Sequence, residues 1–196
     1  MVKKHRPHDE LRAEILAVAT KAVTEGGASA VSARSIAQAV DVSVGTIYNL
    51  FGHLDGLVRA VNFQHMQDLY GLLSEAVQQA GDSPEDRLLA MGETYLKFAQ
   101  ASPRRWETLF RYEAETPTED RLDQAEDALF ALLQSASGKQ ESKEVLSALW
   151  AAVHGVVELA IGRRLTLGRD KPLDHIHLII KAGLRGVQAL RAEGGL

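Results

Sequence analysis

The sequence predicts an all-α protein of about nine helices, with an N-terminal three-helix helix-turn-helix domain over 1–57 and a C-terminal helical domain over 58–196. Three observations predict it. Apolar residues recur at helical spacing along nearly the whole chain. The periodic segments are separated by helix stops and restarts at Glu25-Gly26-Gly27, Gly81-Asp82-Ser83-Pro84, Ser102-Pro103, Thr116-Pro117 and Ser137-Gly138-Lys139. In the stretch 32–57, two short apolar-faced segments are joined by a tight turn.

At the N-terminus, Lys3, Lys4 and Arg6 make a basic arm, either a solvated tail or a reach toward a phosphate backbone. His5, His8 and Asp9 beside them lack the ordered surroundings of a metal site. A first helix follows over 9–24, with Leu11, Ile15, Val18, Ala19, Ala22 and Val23 as its inner stripe. Gly26 or Gly27 suits the left-handed position beyond its end. Ser32 is the N-cap of a second helix over 33–40, which buries Ile36, Ala37 and Val40. Asp41-Val42 breaks the pattern and Ser43 caps a third helix over 44–51. On that helix Ile47, Leu50 and Phe51 fall on one side, while Gly45, Thr46, Tyr48 and Asn49 spread over the other. The outward side is short and hydrogen-bonding, as a helix entering a DNA major groove must be.

Asp55 is the expected N-cap of a long fourth helix to about 80, with Leu57, Val58, Val61, Met66, Leu69, Leu73 and Val77 as its apolar track. At about 1.5 Å per residue it spans on the order of 38 Å, enough to link two lobes. Ser83 and Pro84 open helix five, which carries Leu88, Met91, Tyr95 and Phe98. Ser102-Pro103 repeats the device for helix six, with Trp106, Leu109 and Phe110. Leu122, Ala125, Leu129, Leu132 and Leu133 mark helix seven. Helix eight, about 142–167, has too many apolar positions for a single buried seam and is expected to face two partners. Helix nine, about 173–192, carries Ile176, Ile179, Ile180, Leu184, Val187 and Leu190. Gly155, Gly162, Gly183 and Gly186 in these last helices suggest a close backbone approach, and the pair is suited to a four-helix interface with a second subunit.

The run Ser32-x-Arg34-x-Ile36-Ala37, Val42-Ser43-x-Gly45-Thr46-x-Tyr48, Phe51 and Leu57 resembles the DNA-binding signature of the TetR/AcrR family of bacterial transcriptional regulators. Trp150, His154 and Gly155, with Pro103, Trp106 and Phe110 upstream, resemble the C-terminal region of a subgroup named for a Trp-His-Gly motif. The first resemblance implies that Tyr48 grips a phosphate, that Thr46 bonds phosphate or a base edge, and that Val44, Gly45 and Asn49 lie nearest the bases. Arg34 would reach a guanine edge or a phosphate, Ser32 and Ser43 would either cap or also bind phosphate, and His53 would touch the backbone or lie solvated in its loop. The chain departs from the family pattern at Asp41, where Gly is usual, at Leu50, where His or Tyr is usual, and at Leu54, where Lys is usual. Asp tolerates a left-handed turn, but the two leucines remove groups that hold phosphate in the family. The family further implies a small-molecule effector pocket, for which Tyr70, Tyr95, Phe98, Trp106, Phe110, Trp150 and His154 are the candidate lining, with core packing as the alternative for each.

Composition excludes several other functions. No cysteine is present, which removes disulfides, thiolate catalysis and thiolate metal sites. No apolar run approaches the roughly 20 residues of a membrane helix, and the basic N-terminus leads into an amphipathic segment rather than a signal peptide. A cytoplasmic protein is expected. The net charge is −4, yet residues 1–60 carry seven Lys/Arg against six Asp/Glu, so the helix-turn-helix end is the more basic one. No catalytic spacing or phosphate loop is present, so no enzyme and no cofactor are expected. His154 and Glu158 share a helix face and are expected to bond each other rather than a metal; His175 and His177 point to different sides. The expected partners are a double-stranded DNA operator, a second copy of the chain and an unidentified small-molecule effector. An interaction protein of the same fold with weak or no DNA binding is the competing reading, motivated by Leu50, Leu54 and the acidic balance.

Overall fold

The computed structural model describes residues 6–113, 121–138, 141–165 and 171–193, without the side chains of 121–123 and 126. Among them every regular element is helical: α1 (His8–Gly26), α2 (Ala33–Ala39), α3 (Val44–Phe51), α4 (Leu54–Gln79), α5 (Pro84–Ala101), α6 (Pro103–Arg111), α7 (Arg121–Ala136), α8 (Lys143–Ile161) and α9 (Pro172–Ala192), with a single 3-10 turn at Ala28–Ala30. The expected all-α class therefore holds. Lys3, Lys4, His5, Thr116, Pro117, Lys139 and Leu167, and the side chain of Leu122, lie outside the described residues.

Local chemistry sets most helix ends. The Ser35 N–H donates to Ser32 Oγ at 3.4 Å, the Thr46 N–H to Ser43 Oγ at 3.1 Å and the Asp86 N–H to Ser83 Oγ at 3.0 Å. These hydroxyls satisfy N–H groups that the first helical turn leaves without partners. Asp41 adopts a φ of 54° and Gly27 one of 76°, turning the chain after α2 and α1. Two capping expectations need correction. Ser102 makes no side-chain cap bond, and Pro103 alone opens α6. Asp55 stands inside the first turn of α4 rather than before it, since the helix begins at Leu54; its carboxylate accepts the Tyr112 hydroxyl.

The helices form two compact units, and they group otherwise than the 1–57 and 58–196 division. One takes in the described residues up to Gln67 and from Ser102 to Gln124, so that α6 joins the helix-turn-helix; the other takes in Asp68–Ala101 and those from Ala125 onward. The boundary falls within α4. In the first unit Ile15, Ala19, Val23, Ile36, Ile47, Phe51, Leu57 and Val61 make one buried cluster. Asn62 of α4 donates its amide to the Thr108 carbonyl of α6 at 3.0 Å within that unit. In the second unit α9 packs against α5 and α8.

The α8 helix is apolar enough by length and composition to cross a membrane, with a mean hydropathy of 1.5 over its most apolar 18 residues. Leu146, Val153, Val156 and Val157 are buried within the unit, whereas Ala148, Ala151, Ala152 and Leu159 are exposed. Apolar residues thus lie both on the buried side of α8 and on its exposed side. On α9, Leu178 is 66% exposed and Leu190 48%. The glycine expectation is revised: a Cβ at Gly155 or Gly186 would meet nothing within 4 Å, so within one chain neither marks a close approach.

Candidate nucleic-acid interface and effector cavity

The α3 helix owes its orientation to its apolar side. Ile47 and Phe51 are buried, and Val44 and Leu50 pack half-buried onto the same cluster. Gly45 and Asn49 are left exposed on the other side, with Tyr48 at 44% exposure. Thr46 is half-buried, and its hydroxyl bonds Ser43 Oγ at 2.9 Å. Arg34 is exposed on α2 and His53 is exposed in the bend before α4, while Ser32 is half-buried as a cap. Ser32, Arg34, Ser43, Val44, Gly45, Thr46, Tyr48, Asn49 and His53 thus lie on α2, α3 and their flanking turns in a single unit. This is a short helix held by its apolar side, with hydroxyl, amide and glycine groups turned outward.

Two arginines hold this helix pair in ways that sequence reasoning missed. Arg6 donates to the Val40 carbonyl at 2.8 Å and pairs with Glu14. Arg12 donates to the Leu50 carbonyl at 2.6 Å, and its guanidinium lies 4.3 Å from the centre of the Phe51 ring. Both cations complement carbonyls at the C-terminal ends of α2 and α3. Arg6, expected in a basic arm that was either a solvated tail or a reach toward phosphate, is instead turned inward to the carbonyls at the end of α2, which offer it a fixed partner. Leu50 and Leu54 pack against the apolar cluster, which gives a physical role to the two leucines that replace the usual phosphate-holding residues.

The candidate effector residues do not all come together. In the second unit a cavity of about 40 Å³ is lined from α4, α5, α7, α8 and α9, with Tyr95 and Trp150 in its wall. Their ring centres are 4.9 Å apart, and the Tyr95 hydroxyl hydrogen-bonds His154 Nδ1 at 2.7 Å. Phe98 is buried in the same unit without lining the cavity, and Tyr70 is exposed on α4. Trp106 and Phe110 belong to the other unit, where their rings pack 5.4 Å apart and Trp106 is wholly buried. Trp106 lies on the apolar side that the strongly amphipathic α6 turns inward, and Phe110 beside it is half-buried. Leu73, Leu133 and Ile180 complete the cavity wall; no signal in the sequence separates them from other apolar core positions.

His154 and Glu158 each have a partner on another residue. The Nδ1 of His154 is taken by Tyr95, and Glu158 pairs with Arg164 at 3.1 Å. His175 bonds the Lys171 carbonyl at 2.9 Å and His177 bonds Glu93 at 2.9 Å. Among the described residues no cluster of His, Asp and Glu has the grouping of a metal site.

Comparison with known proteins agrees with this geometry. Residues 15–61 match the family model described as "Bacterial regulatory proteins, tetR family". Residues 88–183 match the one described as "Tetracyclin repressor-like, C-terminal domain". The chain belongs to the TetR family. As a TetR-family protein it is a DNA-binding transcriptional regulator. The C-terminal match carries no Trp-His-Gly subgroup name. Among curated relatives, the HTH-type transcriptional regulator BetI of Burkholderia thailandensis is 26% identical over 153 residues, covering 74% of this chain and 78% of that protein. The BetI of Burkholderia mallei is 24% identical over the same length. Among solved structures, a protein of unknown function from Rhodococcus sp. RHA1 aligns with a TM-score of 0.74 at 20% identity, over 95% of this chain and 98% of that one. A TetR-family transcriptional regulator from Streptomyces coelicolor aligns with a TM-score of 0.67 at 22% identity, over 91% and 99%. At these identities the structural likeness speaks for the fold.

Proposed function

We propose that this TetR-family regulator is a homodimeric repressor, acting in the cytoplasm, in which each subunit lays α3 in the major groove of one operator half-site and a small-molecule effector releases the DNA. The observation that carries the reading is the division of α3 into a side buried through Ile47 and Phe51 and an exposed side of Gly45, Tyr48 and Asn49. Asn49 on that side suits an adenine edge, the half-buried Val44 at the start of α3 a thymine methyl, and Tyr48 of α3 and Arg34 of α2 the phosphates. The α4 helix carries Leu57 and Val61 in the core of the reading unit and Leu73 in the wall of the cavity. A ligand that prefers one position of α4 therefore biases the reading head, and only such a differential preference makes a switch.

Pairing through α8 and α9 is supported by the exposed Ala148, Ala151, Ala152, Leu159 and Leu178. Apolar surface of this kind is typical of obligate interfaces. Leu178→Glu combined with Ala152→Glu is expected to give a monomer by sedimentation and to lose useful operator affinity; undiminished affinity in a monomer would refute the requirement for pairing.

The decisive experiment selects bound sequences from random DNA and then measures fluorescence anisotropy on the winner. Unchanged binding after Tyr48→Phe combined with Arg34→Ala would sink the assignment of the reading head. A second reading, an interaction protein of the same fold with weak DNA binding, draws support from Leu50 and Leu54 being packed against the core. A steep fall of affinity with salt counts against it.

A further inference from the structure

We infer that the cavity beside Tyr95 and Trp150 takes an uncharged, predominantly apolar small molecule, and that it enlarges for this ligand on its α7 side, where Leu133 yields. The inference rests on the effector reading above and names the chemical class of that effector.

The wall comes first. No charged side chain lines the cavity. The hydroxyl of Tyr95 is already engaged by His154, so Tyr95 contributes its ring. Four acidic groups of the same unit are paired elsewhere: Glu93 with His177, Glu85 with Lys181, Glu141 with Arg191 and Glu158 with Arg164. A charged ligand would be desolvated without a counterion or would have to break one of these pairs, and either cost is large. An apolar ligand meets neither cost, and it gains the faces of Tyr95 and Trp150.

Size comes second. At about 40 Å³ the cavity is well short of the roughly 150 Å³ that holds benzene in an apolar protein cavity, so a ligand of that size or larger must displace a wall. The α5–α9 seam resists that, because a Cβ at Gly92 would come within 2.6 Å of Ile176 Cγ2 and 3.1 Å of Ile180 Cδ1. The α5 helix buries residues along its length, from Leu88 to Ala99. The α7 helix supplies only Leu133 to the cavity and, among its described side chains, fully buries only Leu133 and Ala136. Among the described side chains it buries fewer than α5, α8 or α9 do.

The test uses the full-length protein and N-phenyl-1-naphthylamine, an uncharged fluorophore whose emission rises in an apolar site. Expected is saturable binding that is weakened about tenfold or more by Leu133→Phe, which fills the cavity, and kept by Gln78→Ala, a change at an exposed position of α4 away from the cavity wall. Should Leu133→Phe fail to fold, Leu149→Phe fills the same cavity from α8. Competition then sets the class: octanol is expected to displace the probe at a concentration about tenfold or more below octanoate and octylammonium. The inference is overturned if the probe does not bind, if binding survives both cavity-filling variants, or if a charged competitor matches octanol. Operator DNA separates the two readings. Octanol binding in the cavity without release of DNA at saturation counts against the effector reading alone, whereas release driven by octanoate or octylammonium and not by octanol sinks the apolar class alone.

Discussion

Arg12 donates from its guanidinium to the Leu50 carbonyl at 2.6 Å, and thereby caps the C-terminal end of α3 from a residue 38 positions earlier in the chain. The same group lies over the Phe51 ring. Arg12→Ala is expected to destabilise the reading unit by about 1–3 kcal/mol, through loss of a charge-assisted bond and of a cation at a helix C-terminus. Operator affinity should fall with it, although Arg12 is assigned no base or phosphate. Arg12→Lys should recover only part of the loss, because an ammonium supplies charge without the flat stacking surface. Urea unfolding with operator titration checks this; full stability in Arg12→Ala would contradict it.

The turn between α2 and α3 carries a backbone cost at Asp41, whose φ is 54°. Glycine adopts that conformation freely and a β-branched residue does not. Asp41→Gly should leave thermal stability unchanged or raise it, whereas Asp41→Val should lower stability by about 1–2 kcal/mol. Equal melting temperatures for the two variants would show that the turn is relaxed.

His65 on α4 is buried, and among the described residues neither ring nitrogen has a hydrogen-bond partner. Burial, and then the nearby Arg105 guanidinium, push its pKa down from 6.5 to about 3. A lowered pKa means that the unfolded chain takes up the proton first. The contribution of His65 is therefore fully present above pH 6.5 and is lost as the pH falls toward 3, by up to about 1.4 kcal/mol per pH unit. His65→Leu should flatten this slope between pH 7 and pH 5 in urea titrations. An equal acid loss in wild type and variant would assign it to other groups.

Between Ser32 and Leu57 the only Lys or Arg is Arg34. If Arg34 meets a phosphate in each half-site, Arg34→Ala should make the slope of log affinity against log salt shallower by about 2 for a dimer. Tyr48→Phe removes a neutral donor, so it should weaken binding and leave the slope unchanged. A shallower slope for Tyr48→Phe, or an unchanged one for Arg34→Ala, would contradict these roles.

The sequence by itself determined the helices and the bounds of α3. Ser32 and Ser43 act as caps, Asp41 turns the chain, and α3 runs from Val44 to Phe51 as its apolar spacing requires. Such features depend on groups within about one helical turn of each other, so they are legible without a partner. Only the tertiary structure decided that Arg6 and Arg12 turn inward to carbonyls 34 and 38 residues away. It also decided that the Tyr112 hydroxyl meets Asp55, 57 residues away, and that the Tyr95 hydroxyl meets His154, 59 residues away. The two tryptophans, equivalent in sequence as aromatic anchors, part company for the same reason: Trp150 lines the cavity, while Trp106 is buried in the core of the reading unit. Helical periodicity states that a side chain faces inward; which neighbour it meets there depends on packing between distant segments, and that information is not local.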